Sequence, residues 1–192
     1  MRIGILALQG DFREHAVALE RCGATPEFVR REAEIRAIDA LVIPGGESTA
    51  IAHLAQVFGV FDLISQRIAS GMPTYGSCAG MILLADRILD AAVGQRTFGG
   101  LDVTVRRNAF GRQVDSFESD LTFNNAHINA VFIRAPWVEQ VGAGVEVLAT
   151  VETGNGSHPV AIRNKHILAT SFHPELTHES LVHRYFLEQV VR

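Results

Sequence analysis

The 192 residues carry 17 Lys and Arg against 21 Asp and Glu, giving a formal net charge of −4 and a pI near 6.0. That balance supplies no electrostatic attraction to nucleic acid or to an anionic membrane, so neither is an expected partner. With 47% hydrophobic and 20% charged residues the chain can bury a substantial core, and its length suits one domain spanning residues 1–192.

Arg2 to Leu8 is a nearly continuous apolar strand that ends at Gln9-Gly10. The spacing of Phe12, Ala16 and Leu19 predicts an amphipathic helix from Asp11 to Cys22, stopped by Gly23. Glu27-Phe28-Val29 and Ala40 to Ile43 read as strands, the second running into Pro44-Gly45-Gly46, and Ser48 to Phe58 and Phe61 to Ser70 read as helices. Met72 to Tyr75 is a further strand, followed by Gly76-Ser77-Cys78-Ala79-Gly80 and the helical run Met81 to Ala85. Strands apolar on both faces, alternating with helices, predict a parallel sheet covered on both sides. Beyond Phe98 the pattern changes to strands at Leu101 to Val105, Ala130 to Ile133, Glu146 to Val151, Pro159 to Arg163 and Ile167 to Ser171. These predict antiparallel strands added to the parallel sheet, and an amphipathic helix from His178 to Val191 closes the chain. The expected fold is an α/β three-layer sandwich, flavodoxin-like in outline.

No apolar stretch approaches the ~18 residues of a spanning helix, and Met1-Arg2-Ile3 leads into a strand rather than a signal peptide, so a cytoplasmic location is expected. Cys22 and Cys78 form no disulfide framework. Cys22 ends the apolar face of the first helix and reads as packing. Cys78 is different. Glycines bracket it on a strand-to-helix turn, the cysteine version of a nucleophile elbow. The helix N-terminus favours a thiolate there. Such a nucleophile needs a base and a group that fixes the base's tautomer. Ser171-Phe172-His173-Pro174-Glu175 offers both, because residues two apart in an extended segment share a side and Pro174 favours an extended His173. Cys78 and His173 both follow strands, which places both at the carboxyl edge of the sheet.

Pro44-Gly45-Gly46-Glu47-Ser48-Thr49 joins a strand to a helix, where free N–H groups can receive an oxyanion or a carboxylate. Its plainer reading is a glycine turn with Ser48 as N-cap. It lacks the Lys and the glycine spacing of a phosphate-binding loop. His178 and His183 are five apart and diverge by about 140° on a helix, unlike the four-residue spacing of zinc proteases, and read as solvated. No metal site or cofactor is expected. Arg106-Arg107 and Arg112 form a basic patch that reads as a solvated strand edge, whereas Arg107 or Arg134 could clamp a substrate carboxylate.

The cysteine elbow, the late His-Pro-Glu and the Pro-Gly-Gly loop together resemble class I glutamine amidotransferase domains. The resemblance sharpens along nearly the whole chain. Leu8-Gln9-Gly10, Arg13-Glu14-His15, Gly45-Gly46-Glu47-Ser48-Thr49, Cys78-Ala79-Gly80, Arg107 to Gln113, Phe132-Ile133-Arg134-Ala135-Pro136 and Ser171 to Thr177 are similar to the glutaminase subunits of pyridoxal 5′-phosphate synthase. The resemblance implies that L-glutamine is hydrolysed to glutamate and ammonia through a thioester on Cys78, with His173 as base and acid and Glu175 orienting it. It implies an oxyanion hole from backbone N–H groups of Gly45, Gly46 and Ala79, and glutamine held by Gly46, Glu47, Ser48, Arg107, Ile133 and Arg134. Gln9 is placed against the oxyanion loop. A separate synthase subunit of the PdxS/SNZ type, in a hetero-oligomeric complex, would receive the ammonia and build the cofactor from pentose and triose phosphates. The flexible glycine turn suggests that hydrolysis waits for that partner. Two alternatives remain: a glutaminase serving another synthase, such as imidazole glycerol phosphate synthase, and a non-catalytic regulatory subunit.

Overall fold

The computed structural model describes residues 1–110, 116–154 and 156–191. Its first half alternates β1 (Ile3–Leu6), α1 (Phe12–Arg21), β2 (Pro26–Val29), α2 (Glu32–Ala37), β3 (Ala40–Ile43), α3 (Ser48–Val57), α4 (Phe61–Ala69), β4 (Thr74–Ser77) and α5 (Ala79–Leu84). The second half is strand-rich: β5 (Ala85–Leu89), β6 (Leu101–Arg106), β7 (Ser116–Phe123), β8 (Ala126–Ile133), β9 (Trp137–Val141), β10 (Glu146–Thr153), β11 (Gly156–Arg163) and β12 (Ile167–Thr170). A 3₁₀ turn (Pro174–Leu176) and α6 (Leu181–Tyr185) follow, and α6 widens into a π turn over Phe186–Val190.

Seven strands form the main sheet in the order β10-β11-β12-β4-β3-β1-β2. The pairings among β12, β4, β3, β1 and β2 are parallel, and β10 and β11 extend the edge antiparallel. Successive residues of a strand point to opposite faces. Leu41 and Ile43 accordingly enter one core with α2, α3, α4 and α5, while Ala40 and Val42 enter the other with α1 and α6. Two cores on one sheet give the three-layer α/β architecture that the two-sided apolar strands imply.

Not all later strands join this sheet. β5, β6 and β9 form a separate three-stranded sheet, and among the described residues β7 pairs only with β8, in a hairpin. That hairpin is longer than the Ala130 to Ile133 expectation. Its turn is Asn124-Asn125 with φ of 45° and 67°, the left-handed pair a two-residue hairpin loop requires. Phe117 stacks on Phe132 at 4.6 Å between centroids, and Phe132 meets Phe172 edge-on, fastening the hairpin beside the main sheet.

The tightest packing surrounds the β4–α5 turn. A β-carbon on Gly80 would stand 2.4 Å from the Ile43 carbonyl oxygen, and one on Gly76 would stand 2.6 Å from the Gly80 carbonyl carbon. Neither contact can open without separating α5 from β3 or β4. Gly80→Ala is therefore expected to destabilise the fold by about 1–3 kcal/mol, read as a lowered urea midpoint at unchanged slope. An unchanged midpoint would show that the turn has slack.

Candidate active site

The carboxyl ends of β12, β4, β3 and β1 are neighbours in the sheet, and the segments leaving them carry His173, Cys78, Gly45-Gly46 and Gln9. In parallel α/β sheets ligands bind at this edge. Cys78 lies between β4 and α5 at φ 47° and ψ −98°, a conformation that few residues with a side chain adopt. Its N–H donates to the Thr170 carbonyl at 2.7 Å, tying the elbow to β12. Cys78 Sγ lies 3.9 Å from the carbonyl oxygen of Ile133.

His173 meets both expected partners. Its Nδ1 is 2.7 Å from Glu175 Oε1, and the ring lines the same cleft as the Cys78 thiol. The route differs from an extended segment, because Glu175 sits in the 3₁₀ turn, which curls the carboxylate back under the ring. Burial disfavours the imidazolium, but the hydrogen bonds to Cys78 and Glu175 and their charges outweigh it, so the His173 pKa is pushed up to about 10. Burial raises the Glu175 pKa, opposed by the bond to His173. The pair's mutual attraction favours carboxylate with imidazolium, against the burial of both. A second carboxylate, Asp11 Oδ2, lies 3.5 Å from the same Nδ1, and burial raises its pKa. Asp11, His173 and Glu175 hold ligand atoms within 4.8 Å of one another and are, among the described residues, the one group spaced to hold a metal ion. His173 and Glu175 already bond each other there.

Gly46, Glu47, Ser48, Cys78, Arg107, Ile133, Arg134 and His173 line one cleft of about 390 Å³, together with Gln9. Gly45 borders it from below, where an added β-carbon would lie 2.4 Å from His173 Cε1. Ala79 is buried directly after Cys78, and Glu175 is buried behind the histidine. A larger hollow of about 610 Å³ beside α2 and α4 contains neither a thiol nor a histidine.

Gln9 Oε1 accepts from the Glu47 N–H at 2.8 Å, and the Gly45 carbonyl accepts from the Asp11 N–H at 3.1 Å. The N-cap of α3 is Glu47 rather than Ser48, because the Glu47 carboxylate reaches forward to the Ala50 N–H and the Thr49 hydroxyl. Burial opposes the Glu47 carboxylate, but those hydrogen bonds and Arg107 hold its pKa below the ordinary value. Ser48 instead accepts from Gln95 Nε2 at 2.9 Å, and Gln95 Oε1 accepts from Arg107 at 2.9 Å. Arg107 also reaches Glu47 Oε1 at 3.1 Å. Gln95, Asp11, Asn108 and Ile82 were not among the sequence candidates. Asp11 stood at the start of the first helix and Asn108 inside the Arg107 to Gln113 segment, whereas nothing in the sequence singled out Gln95.

His183 corrects the sequence reading. It is fully buried rather than solvated, whereas His178 is exposed. His178 lies before α6, which begins at Leu181 rather than at His178 as expected, whereas His183 sits on α6 and faces His15 of α1. Arg106 pairs with Asp90 and Glu139 at the edge of β6, and Cys22 is half-buried with its thiol 3.6 Å from the Ser180 carbonyl. Arg112 lies outside the described residues.

A raised His173 pKa stabilises the fold below the unfolded value near 6.5, and this contribution is lost as pH rises toward about 10. The stability difference between the native chain and His173→Gln should therefore narrow between pH 6.5 and 10 in urea titrations. A gap that widened with pH would contradict the ion-pair assignment.

The chain is similar to known proteins along nearly its whole length. The chain is 58% identical over 98% of its length to a protein of Kineococcus radiotolerans named pyridoxal 5′-phosphate synthase subunit PdxT, covering 94% of that relative. It is 57% identical over 98% of its length to a protein of the same name from Nocardia farcinica, covering 85% of it. A solved structure described as a glutamine amidotransferase superposes with a TM-score of 0.89 at 47% identity, covering 98% of both chains. The model of the SNO glutamine amidotransferase family matches residues 5–192, and the chain belongs to that family.

Proposed function

We propose that this chain is the glutaminase subunit of a pyridoxal 5′-phosphate synthase, acting through Cys78, His173 and Glu175. The observation that carries the reading is an elbow thiol sharing one cleft with an imidazole that a buried carboxylate orients. The family match and the PdxT relatives supply the substrate class.

In this mechanism Cys78 Sγ attacks the side-chain amide carbon of glutamine while His173 holds the thiol proton. The tetrahedral oxyanion is received by N–H groups of Ala79 and the Gly45-Gly46 turn. Collapse breaks the C–N bond, and His173 returns the proton so that ammonia leaves. Water, deprotonated by His173, then opens the thioester, giving glutamate and the free thiol. Glu175 fixes the ring throughout. Gly46, Glu47, Ser48, Arg107, Ile133 and Arg134 hold the glutamine. Glu47 acts indirectly, since its carboxylate is committed to the α3 cap and to Arg107. The ammonia passes to a separate synthase subunit of the PdxS/SNZ type, and the complex works in the cytoplasm. Among the described residues, no single helix is long and apolar enough to cross a membrane.

Docking of the partner controls the timing of hydrolysis. The Gly45 carbonyl is held by the Asp11 N–H and the Glu47 N–H by Gln9, which supports a loop whose peptides must turn to present their N–H groups. Glutamate release should accordingly rise by about tenfold or more when the synthase is added. Equal rates with and without it would refute the gating.

Cys78→Ala should reduce glutamine-dependent synthesis by about 10³-fold or more while supplied ammonium still supports it. Loss of the ammonium-dependent reaction as well would contradict a purely ammonia-supplying role.

A further inference from the structure

Behind the triad, on the side away from the cleft, lies a buried polar chain that the mechanism above does not use. His15 on α1 and His183 on α6 are both 0% exposed. His15 Nδ1 is 2.9 Å from His183 Nε2, and His15 Nε2 is 2.9 Å from Ser77 Oγ, the residue before the nucleophile. The same His15 Nε2 is 3.5 Å from Glu175 Oε2, the carboxylate oxygen that does not hold His173. Among the described residues Oε2 has no hydrogen-bond partner, and neither does His183 Nδ1.

These contacts fix the tautomers. If His15 carried its proton on Nδ1, the bond to His183 would leave a buried His183 N–H with no acceptor and aim a bare His15 lone pair at a carboxylate oxygen. With the proton on His15 Nε2, His183 Nε2–H donates to His15 Nδ1, and the unused group is only a lone pair on His183 Nδ1. An orphaned acceptor is tolerated better than an orphaned N–H. Burial keeps both rings neutral, lowering the His183 pKa to about 4 and that of His15 well below its ordinary value, the latter also through His183 and His173.

We propose that His15, held as the Nε2–H tautomer by His183, is a positioning residue for the catalytic carboxylate: it directs a proton toward Glu175 Oε2 and so keeps Glu175 ionised and turned to His173. Glu175 is otherwise faced by His173, by Asp11 across the imidazole and by Tyr75, whose neutral ring edge packs against both buried histidines. The Glu175 backbone N–H also favours the carboxylate; among side chains, His173 Nδ1 meets Oε1 and His15 Nε2 lies 3.5 Å from Oε2. A dry carboxylate with one oxygen unattended would tend to take up a proton, which would cost His173 its counter-charge. Ser77 shares the His15 N–H and links this chain to the backbone of the elbow.

This inference rests on the glutaminase reading, and the test separates the two. The unsubstituted chain with its synthase partner must first hydrolyse glutamine; if it does not, the proposed function fails. The tautomer of His15 is read independently, from imidazole ¹⁵N spectra of the unsubstituted protein. A proton on Nε2 is expected, and a proton on Nδ1 overturns the inference. In the active complex His15→Phe, which keeps a ring but loses the N–H, should lower kcat by about tenfold with KM little changed. It should also move the acid limb of the kcat/KM profile upward by about one pH unit, because Glu175 then protonates more readily. A purely packing role would lower activity without moving the limb. His183→Leu should reproduce the shift, and His183→Gln, whose amide can still donate to His15 Nδ1, should largely reverse it. Identical limbs for both His183 variants, or an unmoved limb in His15→Phe, overturn the inference.

Discussion

The site depends on backbone approaching backbone more closely than any β-carbon permits. Gly80 lies against the Ile43 carbonyl, Gly76 against Gly80, and Gly45 against the His173 ring, each leaving less than 3 Å for an added carbon. These approaches set the separation between the elbow, the glycine turn and the imidazole, the three parts whose spacing decides whether a thiol can be activated at all. The parallel sheet supplies the coarse alignment by placing four strand ends side by side. The glycines supply the last ångström.

On that frame sits an unusual concentration of buried polarity. Glu175, His173, His15, His183 and Ser77 are all buried, and α1, β4, the 3₁₀ turn and α6 each contribute to the set. Burial alone would discharge such groups. They persist because each faces another across a short distance, so the cost of one is offset by its neighbour. The same mutual dependence makes the cluster brittle, since removing one member strands the next.

The parallel half was legible because its signals are local: apolar runs, glycines at the turns after β1 and β3 and at the elbow, and Cys78 and His173 close after strands. The parallel strands follow from those runs, while His173 and Glu175 were read as partners from their two-residue spacing. What escaped was contact across distance. The burial of His183 depends on α6 presenting one face to α1, and Gln95 reaches Ser48 from a loop 47 residues away. The partition of the later strands into separate sheets was also hidden, because alternating strands such as β7 do not announce which neighbour they will join. The Asn124-Asn125 turn between β7 and β8 was the readable clue to that hairpin.

The β7–β8 hairpin bears on both sides of the reaction at once. Its Val131 carbonyl accepts the His173 N–H at 2.9 Å, while Ile133 at the end of the same strand lies against the thiol. Among the described residues no ladder of strand pairing joins the hairpin to the main sheet. Stacked aromatic rings and single backbone bonds do that work, and such attachments open at lower free energy than a central parallel strand. Fluctuations that lift the hairpin would release a backbone anchor of the base and remove one wall of the cleft together, leaving the elbow intact. Amide exchange along β8 would then track the working lifetime of the site, while exchange in β3 and β4 tracks the lifetime of the fold.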